Sequence, residues 1–183
     1  MKKMLVLALG SVLFIGCNGE KATEPKTESA VATDSAQPKS QPAEFADAKY
    51  AEIGRQGVAD LSSGDIDGWM KSFADNAVYL WNNGDSLAGK AAITAYWKKR
   101  RTEMLDSISF SNQVWLPLKV NQPQSIEQPG IWVLGWYMVN AKYKTGKRMQ
   151  QWIHTDMHFD ATDKIDRVIQ YLDRVPINAA MAK

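Results

Sequence analysis

Ser63-Gly64-Asp65-Ile66-Asp67-Gly68-Trp69-Met70-Lys71-Ser72-Phe73-Ala74-Asp75-Asn76-Ala77-Val78-Tyr79 holds a helix stop, a helix start and a strand start within seventeen residues. Ser63-Gly64 ends whatever helix precedes it, because glycine takes the left-handed conformation that closes a helix. Asp65 can accept a hydrogen bond from a first-turn amide and so cap a new helix. Ile66, Trp69, Met70 and Phe73 then fall at i, i+3, i+4 and i+7, one apolar face over about two turns. Ala77 to Trp81 reads as a short strand, and Asn82-Asn83-Gly84-Asp85 as the turn after it.

Upstream, Tyr50, Ile53, Gly57 or Val58, and Leu61 predict a helix over Ala46 to Ser62. Downstream, Gly89 opens a third helix with Ile93, Tyr96, Trp97 and later Met104 on one side. Lys98-Lys99-Arg100-Arg101 at its far end complements the helix dipole and is read as a solvated helix end. From Ile108 the pattern changes to strands: Ile108 to Val120, Ile131 to Ala141, Arg148 to Phe159 and Ile165 to Leu172. A polar loop covers Asn121 to Gly130, and Lys144–Lys147 and Ala161–Asp163 are turns. Three N-terminal helices followed by strands make an α+β domain with helices packed on one face of a curved antiparallel sheet. Ile131 to Val139 does not alternate, so both faces of that strand are expected to be covered, one by helices and one by a second copy in a homodimer through the sheet face.

Ahead of the domain, Met1-Lys2-Lys3 and the apolar run Met4 to Ile15 form an export signal, too short for a comfortable membrane span. Phe14-Ile15-Gly16-Cys17 resembles the lipobox of bacterial lipoproteins, which implies a signal peptide at 1–16 and a lipidated Cys17 as membrane anchor. Asn18 in place of Asp implies, by the same resemblance, outer rather than inner membrane placement in the bacterial cell envelope. Residues 17–44 are rich in Ala, Thr, Ser, Glu, Lys, Gln and Pro and too poor in apolar side chains to fold, so they read as a tether. The domain is then 45–183. The 183 residues carry 22 Lys and Arg against 20 Asp and Glu; removing Lys2 and Lys3 with the signal leaves the two signs equal, which gives no footprint for nucleic acid. One cysteine excludes an internal disulfide, and seven Trp announce an aromatic core or an aromatic-lined cavity.

The quoted stretch, together with Gly89-Lys90-Ala91-Ala92-Ile93 and the ending Asp163-Lys164-Ile165 through Tyr171-Leu172-Asp173, resembles the nuclear transport factor 2-like (cystatin-like) fold and its SnoaL-like branch. The resemblance implies a cone-shaped domain whose relatives include isomerases, polyketide cyclases, dehydratases and non-catalytic modules. Aligned through Gly64 and Phe73, the proton-transferring Asp of the isomerases falls on Trp81 and their first-helix Tyr on Gly57. Aligned through Phe159 and Lys164, their hydrogen-bonding Asp falls on Thr155. Isomerase chemistry in that form is therefore not expected.

Both histidines lie in Trp152-Ile153-His154-Thr155-Asp156-Met157-His158. On a strand, His154, Asp156 and His158 share one face with Trp152, while Ile153, Thr155 and Met157 share the other. His154-x-Asp156 is similar to the H-x-D of SnoaL-like cyclases, which implies Asp156 as acid/base tuned by His154. The isomerase register instead turns the Thr155 side inward, and a one-residue slip exchanges the faces. A metal on His-x-Asp-x-His fails, because i and i+4 on a strand stand ~13 Å apart. Trp81, Tyr79, Tyr96, Trp97, Trp132, Trp136 and Thr155 are the residues expected to line a pocket for a small apolar molecule. No nucleotide, hydrolase or zinc-protease motif occurs, and no cofactor is expected.

Overall fold

A computed structural model of the chain describes residues 41–123 and 128–182. The expected signal peptide, Cys17 and nearly all of the expected tether lie outside the described residues. Seven strands form one sheet: β1 (Ala43–Phe45), β2 (Phe73–Trp81), β3 (Ser86–Ala88), β4 (Leu105–Val120), β5 (Gly130–Tyr143), β6 (Arg148–Phe159) and β7 (Ile165–Tyr171). Their order across the sheet is β1-β4-β5-β6-β7-β2-β3. Helices α1 (Lys49–Ser63), α2 (Ile66–Met70), α3 (Lys90–Lys99) and α4 (Arg174–Met181) complete an α+β domain with its helices on the curved sheet.

The helix stop and start fall where the sequence places them. Gly64 closes α1 at φ 89°, its amide bonded to the Asp60 carbonyl, and Asp65 caps α2 by accepting from the Gly68 amide at 2.8 Å. The helix then ends three residues earlier than its apolar spacing suggests, and Phe73 opens β2 instead. Phe73 is only 1% exposed, so the same buried position satisfies either reading of the pattern.

Several elements differ from expectation. The sheet reaches back to Ala43, pairing with Val120, so ordered structure starts two residues before 45. β2 lies parallel to β7, so the sheet is mixed and not wholly antiparallel. β3 and α4 are additional. α4 begins where Asp173 accepts from the Val175 amide at 2.8 Å; Pro176, in its first turn, removes an amide that would have had no partner. Beyond Lys99 the third helix continues as a π-turn, Arg100–Met104, a wider winding that rotates the side chains following it.

β4 carries a bulge. Its register with β5 shifts between Ser111 and Val114, and Asn112 takes a left-handed φ of 51°. Because one slipped residue exchanges faces, Ile108 and Phe110 point inward before the bulge and Trp115 after it. Trp115 is clamped: a Cβ on Gly54 of α1 or on Gly135 of β5 would come within 2.7 Å and 2.4 Å of its ring. Both glycines exist to let the indole fill the space between helix and sheet.

At one end, Asp163 takes φ 61° and binds the Lys49 ammonium at 2.7 Å and the Tyr50 hydroxyl at 2.5 Å. Those two bonds hold its carboxyl below the ordinary 3.8 and fix the start of α1 to the β6–β7 turn.

Candidate functional site

Among the concave places of the described residues, one lies on each face of the sheet. The inner one is a cavity of about 100 Å³ between the helices and the concave face. Its walls are mostly aromatic. Tyr79 and Trp81 stand 4.7 Å apart, Trp81 and Tyr96 5.2 Å, Tyr96 and Trp97 5.5 Å, and Trp115 and Tyr137 5.5 Å, all within reach of favourable aromatic contact.

The expected residues divide between the faces. Trp81, Tyr79, Tyr96, Trp97 and Thr155 line the cavity. Trp132 and Trp136 do not: they lie on the opposite face of β5, opposite His158 and His154 of β6. The register also settles the face of β6, since Ile153, Thr155 and Met157 line the cavity while Asp156 lines the outer groove. Asp156 and His154 therefore cannot serve as acid and base inside the cavity.

All three positions aligned with isomerase side chains do reach the cavity, which supports the register used to place them. At Gly57 the missing side chain leaves room for Trp69, whose indole nitrogen lies 2.7 Å from where a Cβ would stand. Trp81 and Thr155 belong to an uncharged hydrogen-bond chain. The Trp81 indole N–H donates to Gln170 Oε1 at 3.1 Å, the Gln170 amide donates to Thr155 Oγ1 at 3.4 Å, and Thr155 shares a 2.6 Å bond with the Tyr137 hydroxyl. Burial pushes the Tyr137 hydroxyl up, against the opposing effect of its bonds to Thr155 and Gln170, so it stays protonated at neutral pH. Tyr79 is pushed well above its ordinary value, chiefly by burial.

No Asp, Glu or His is among the described residues lining the cavity, whereas Arg100 and Arg174 are. The π-turn brings Arg100 inward, where its guanidinium donates to the Tyr143 hydroxyl at 3.0 Å. Arg174 lies 5.6 Å above the Trp81 ring and donates to Asn83 Oδ1 at 3.1 Å. The basic tetrad is thus split in role: Lys98 pairs with Asp67 on the surface while Arg100 faces the interior. Arg174, Gln170, Trp115 and Tyr137 are not among the residues singled out from sequence, and Arg100, expected at a solvated helix end, lines the cavity instead. Asp173 with Pro176 was the available signal for the helix that carries Arg174.

The outer groove, about 240 Å³, is walled by Leu118, Val120, Trp132, Leu134, Ile169 and Tyr171 around Asp156. His154 Nε2 is 2.7 Å from Asp156 Oδ1, and its ring lies 4.5 Å from Trp136 and 5.5 Å from Tyr171. His158 Nδ1 is 2.6 Å from Asp166 Oδ1. Trp152 and Tyr171 are exposed on this face.

No model of a known protein family matches the chain, and no curated protein does. Solved structures do. An isomerase candidate from Bacillus subtilis matches with a TM-score of 0.57 at 20% identity, covering 72% of this chain and 91% of that one. A polyketide cyclase candidate from Xanthomonas campestris matches at 0.59 and 15% identity, covering 73% and 97%. A protein of ketosteroid isomerase-like fold from Catenulispora acidiphila matches at 0.54 and 12%, covering 71% and 92%. The domain has the nuclear transport factor 2-like, SnoaL-like fold.

Proposed function

We propose that this chain is a binding module of the bacterial cell envelope, anchored through lipid on Cys17, that takes one small apolar molecule into the cavity of its SnoaL-like domain. The observation that carries the reading is the cavity wall: among the described residues it is mainly aromatic and aliphatic, holds a hydrogen-bonded chain through Trp81, Gln170, Thr155 and Tyr137, and includes no carboxylate or imidazole. Imidazoles and carboxylates are the commonest groups of acid–base catalysis, which favours binding over proton transfer in this cavity.

Size narrows the ligand. About 100 Å³ is well below the ~300 Å³ at which drug-sized sites begin, and close to the ~150 Å³ of an apolar protein cavity that admits benzene. A single-ring molecule is the appropriate probe. Toluene is expected to quench or shift the tryptophan fluorescence of the full chain saturably, because Trp69, Trp81, Trp97 and Trp115 form the wall. Ala141→Leu, which extends a side chain from the wall into the space, is expected to abolish the signal while the unfolding transition persists. An equal response from wild type and Ala141→Leu removes the cavity as the site.

The anchor has its own test. Expressed in a bacterium with its own N-terminus, the chain is expected in the membrane fraction, and Cys17→Ser is expected to release it. Membrane association unchanged by Cys17→Ser would sink the anchoring.

A further inference from the structure

The polar groups of the cavity are unbalanced, and all in one direction. Trp97 is 7% exposed, its indole nitrogen is buried, and that nitrogen has no acceptor. Arg174 Nε is likewise buried without an acceptor. Both residues line the cavity, and both unsatisfied atoms are donors. Buried donors in a native structure nearly always have a partner, so two in one wall call for an acceptor that the chain itself does not supply. Charge agrees with hydrogen bonding. Two guanidinium groups meet no carboxylate on the described lining of the cavity; the acidic partner of Arg174, Asp85 Oδ2 at 3.0 Å, is 59% exposed and outside it.

Position places these cations together with the aromatic groups. Arg174 lies over the Trp81 ring, Trp81 is 5.2 Å from Tyr96, and Arg100 follows Tyr96 by four residues, roughly one helical turn. The rest of the lining, from Val58 and Leu61 to Val139, Ile153 and Met157, is aliphatic. The wall therefore combines an apolar body with two arginines and an indole donor.

Resting on the reading of the cavity as a ligand site, we propose that its ligand is a small apolar carboxylic acid, bound as the anion with its carboxylate on Arg174 and Arg100 and its ring or chain among the aromatic walls. A carboxylate offers acceptors on both oxygens, matches the planar fork of a guanidinium, and fits a site whose unmet groups are all donors. A neutral isostere offers fewer acceptors and no charge. Asp85 acts as the competitor that holds Arg174 when no acid is bound.

Benzoate and benzamide are the probe pair, titrated into the full chain at neutral pH by tryptophan fluorescence and by calorimetry, with toluene as the apolar reference. Benzoate is expected to bind about tenfold or more tightly than benzamide, a ratio within reach of one charge-assisted contact. Arg174→Gln and Arg100→Gln are each expected to reduce that ratio severalfold, with toluene titrated on each variant so that loss of charge is separated from loss of the cavity. Asp85→Asn, an exposed change, is expected to raise benzoate affinity and leave toluene unchanged, which a role confined to folding would not do. Equal affinity for benzoate and benzamide, benzoate rejected while toluene binds, or a preference that survives both arginine variants each overturns the acid ligand and leaves the cavity reading standing. If neither toluene nor benzoate binds, the cavity reading itself falls.

Discussion

Trp115→Ala lowers the unfolding free energy by about 3–5 kcal/mol, the range for deleting a large buried aromatic side chain. The indole is the largest single filler between α1 and β5, and the two glycines that admit it leave nothing to collapse into its place. Gly135→Ala is expected to cost about 1–3 kcal/mol, because the new methyl would stand 2.4 Å from a carbon of the Trp115 ring, which must shift to admit it. The informative variant is the double one. With Trp115 removed, the Gly135 methyl meets open space, so the combined loss falls well short of the sum of the two single losses. Chemical denaturation at constant slope reads all three values, and simple additivity would show that the clamp is not the reason for either glycine.

The second large effect belongs to the buried hydrogen-bond chain. Gln170→Leu orphans the Trp81 indole N–H and takes a donor from Thr155, which is expected to cost about 1–3 kcal/mol. Tyr137→Phe is milder, about 0.5–1.5 kcal/mol, because Thr155 keeps its bond to Gln170. The order of the two variants is the test: a Tyr137→Phe loss equal to or larger than that of Gln170→Leu would place the weight of the network on the wrong residue.

The helices and long strands were legible because each is written in local terms. Gly64 and Asp65 punctuate, Ile66, Trp69 and Met70 keep a period, and the Lys144–Lys147 turn separates two apolar runs. Pairing is not local. Nothing in Phe73–Trp81 says that it lies parallel to Ile165–Tyr171, and nothing in Ala43–Phe45 marks three exposed residues as a strand until Leu118–Val120 supplies its partner.

The site was half legible for the same reason. The alignment found Trp81, Gly57 and Thr155, whereas the choice of face for His154 and Asp156 depended on one residue of register. The bulge at Asn112 reverses parity within β4, so no single alternation carries Ile108, Phe110 and Trp115 to the same face. Arg100 was concealed by a rule that usually holds: cations at helix ends face water, and only the wider π-turn turns this one inward.

β1 gives the domain a mechanical property. It joins the sheet through Ala43–Phe45 alone, outermost beside β4, with the Asn121 and Gln122 amides donating to the Pro42 carbonyl at its leading end. A pull on the chain from its N-terminal side would load those few bonds first. The strand would peel from the edge before tension reached α1, whose start is held separately by Lys49 and Tyr50 on Asp163. The cavity walls lie on the far side of that second fastening. β1 would thus give way first without disturbing the cavity lining, to which Ala43–Phe45 contribute no residue.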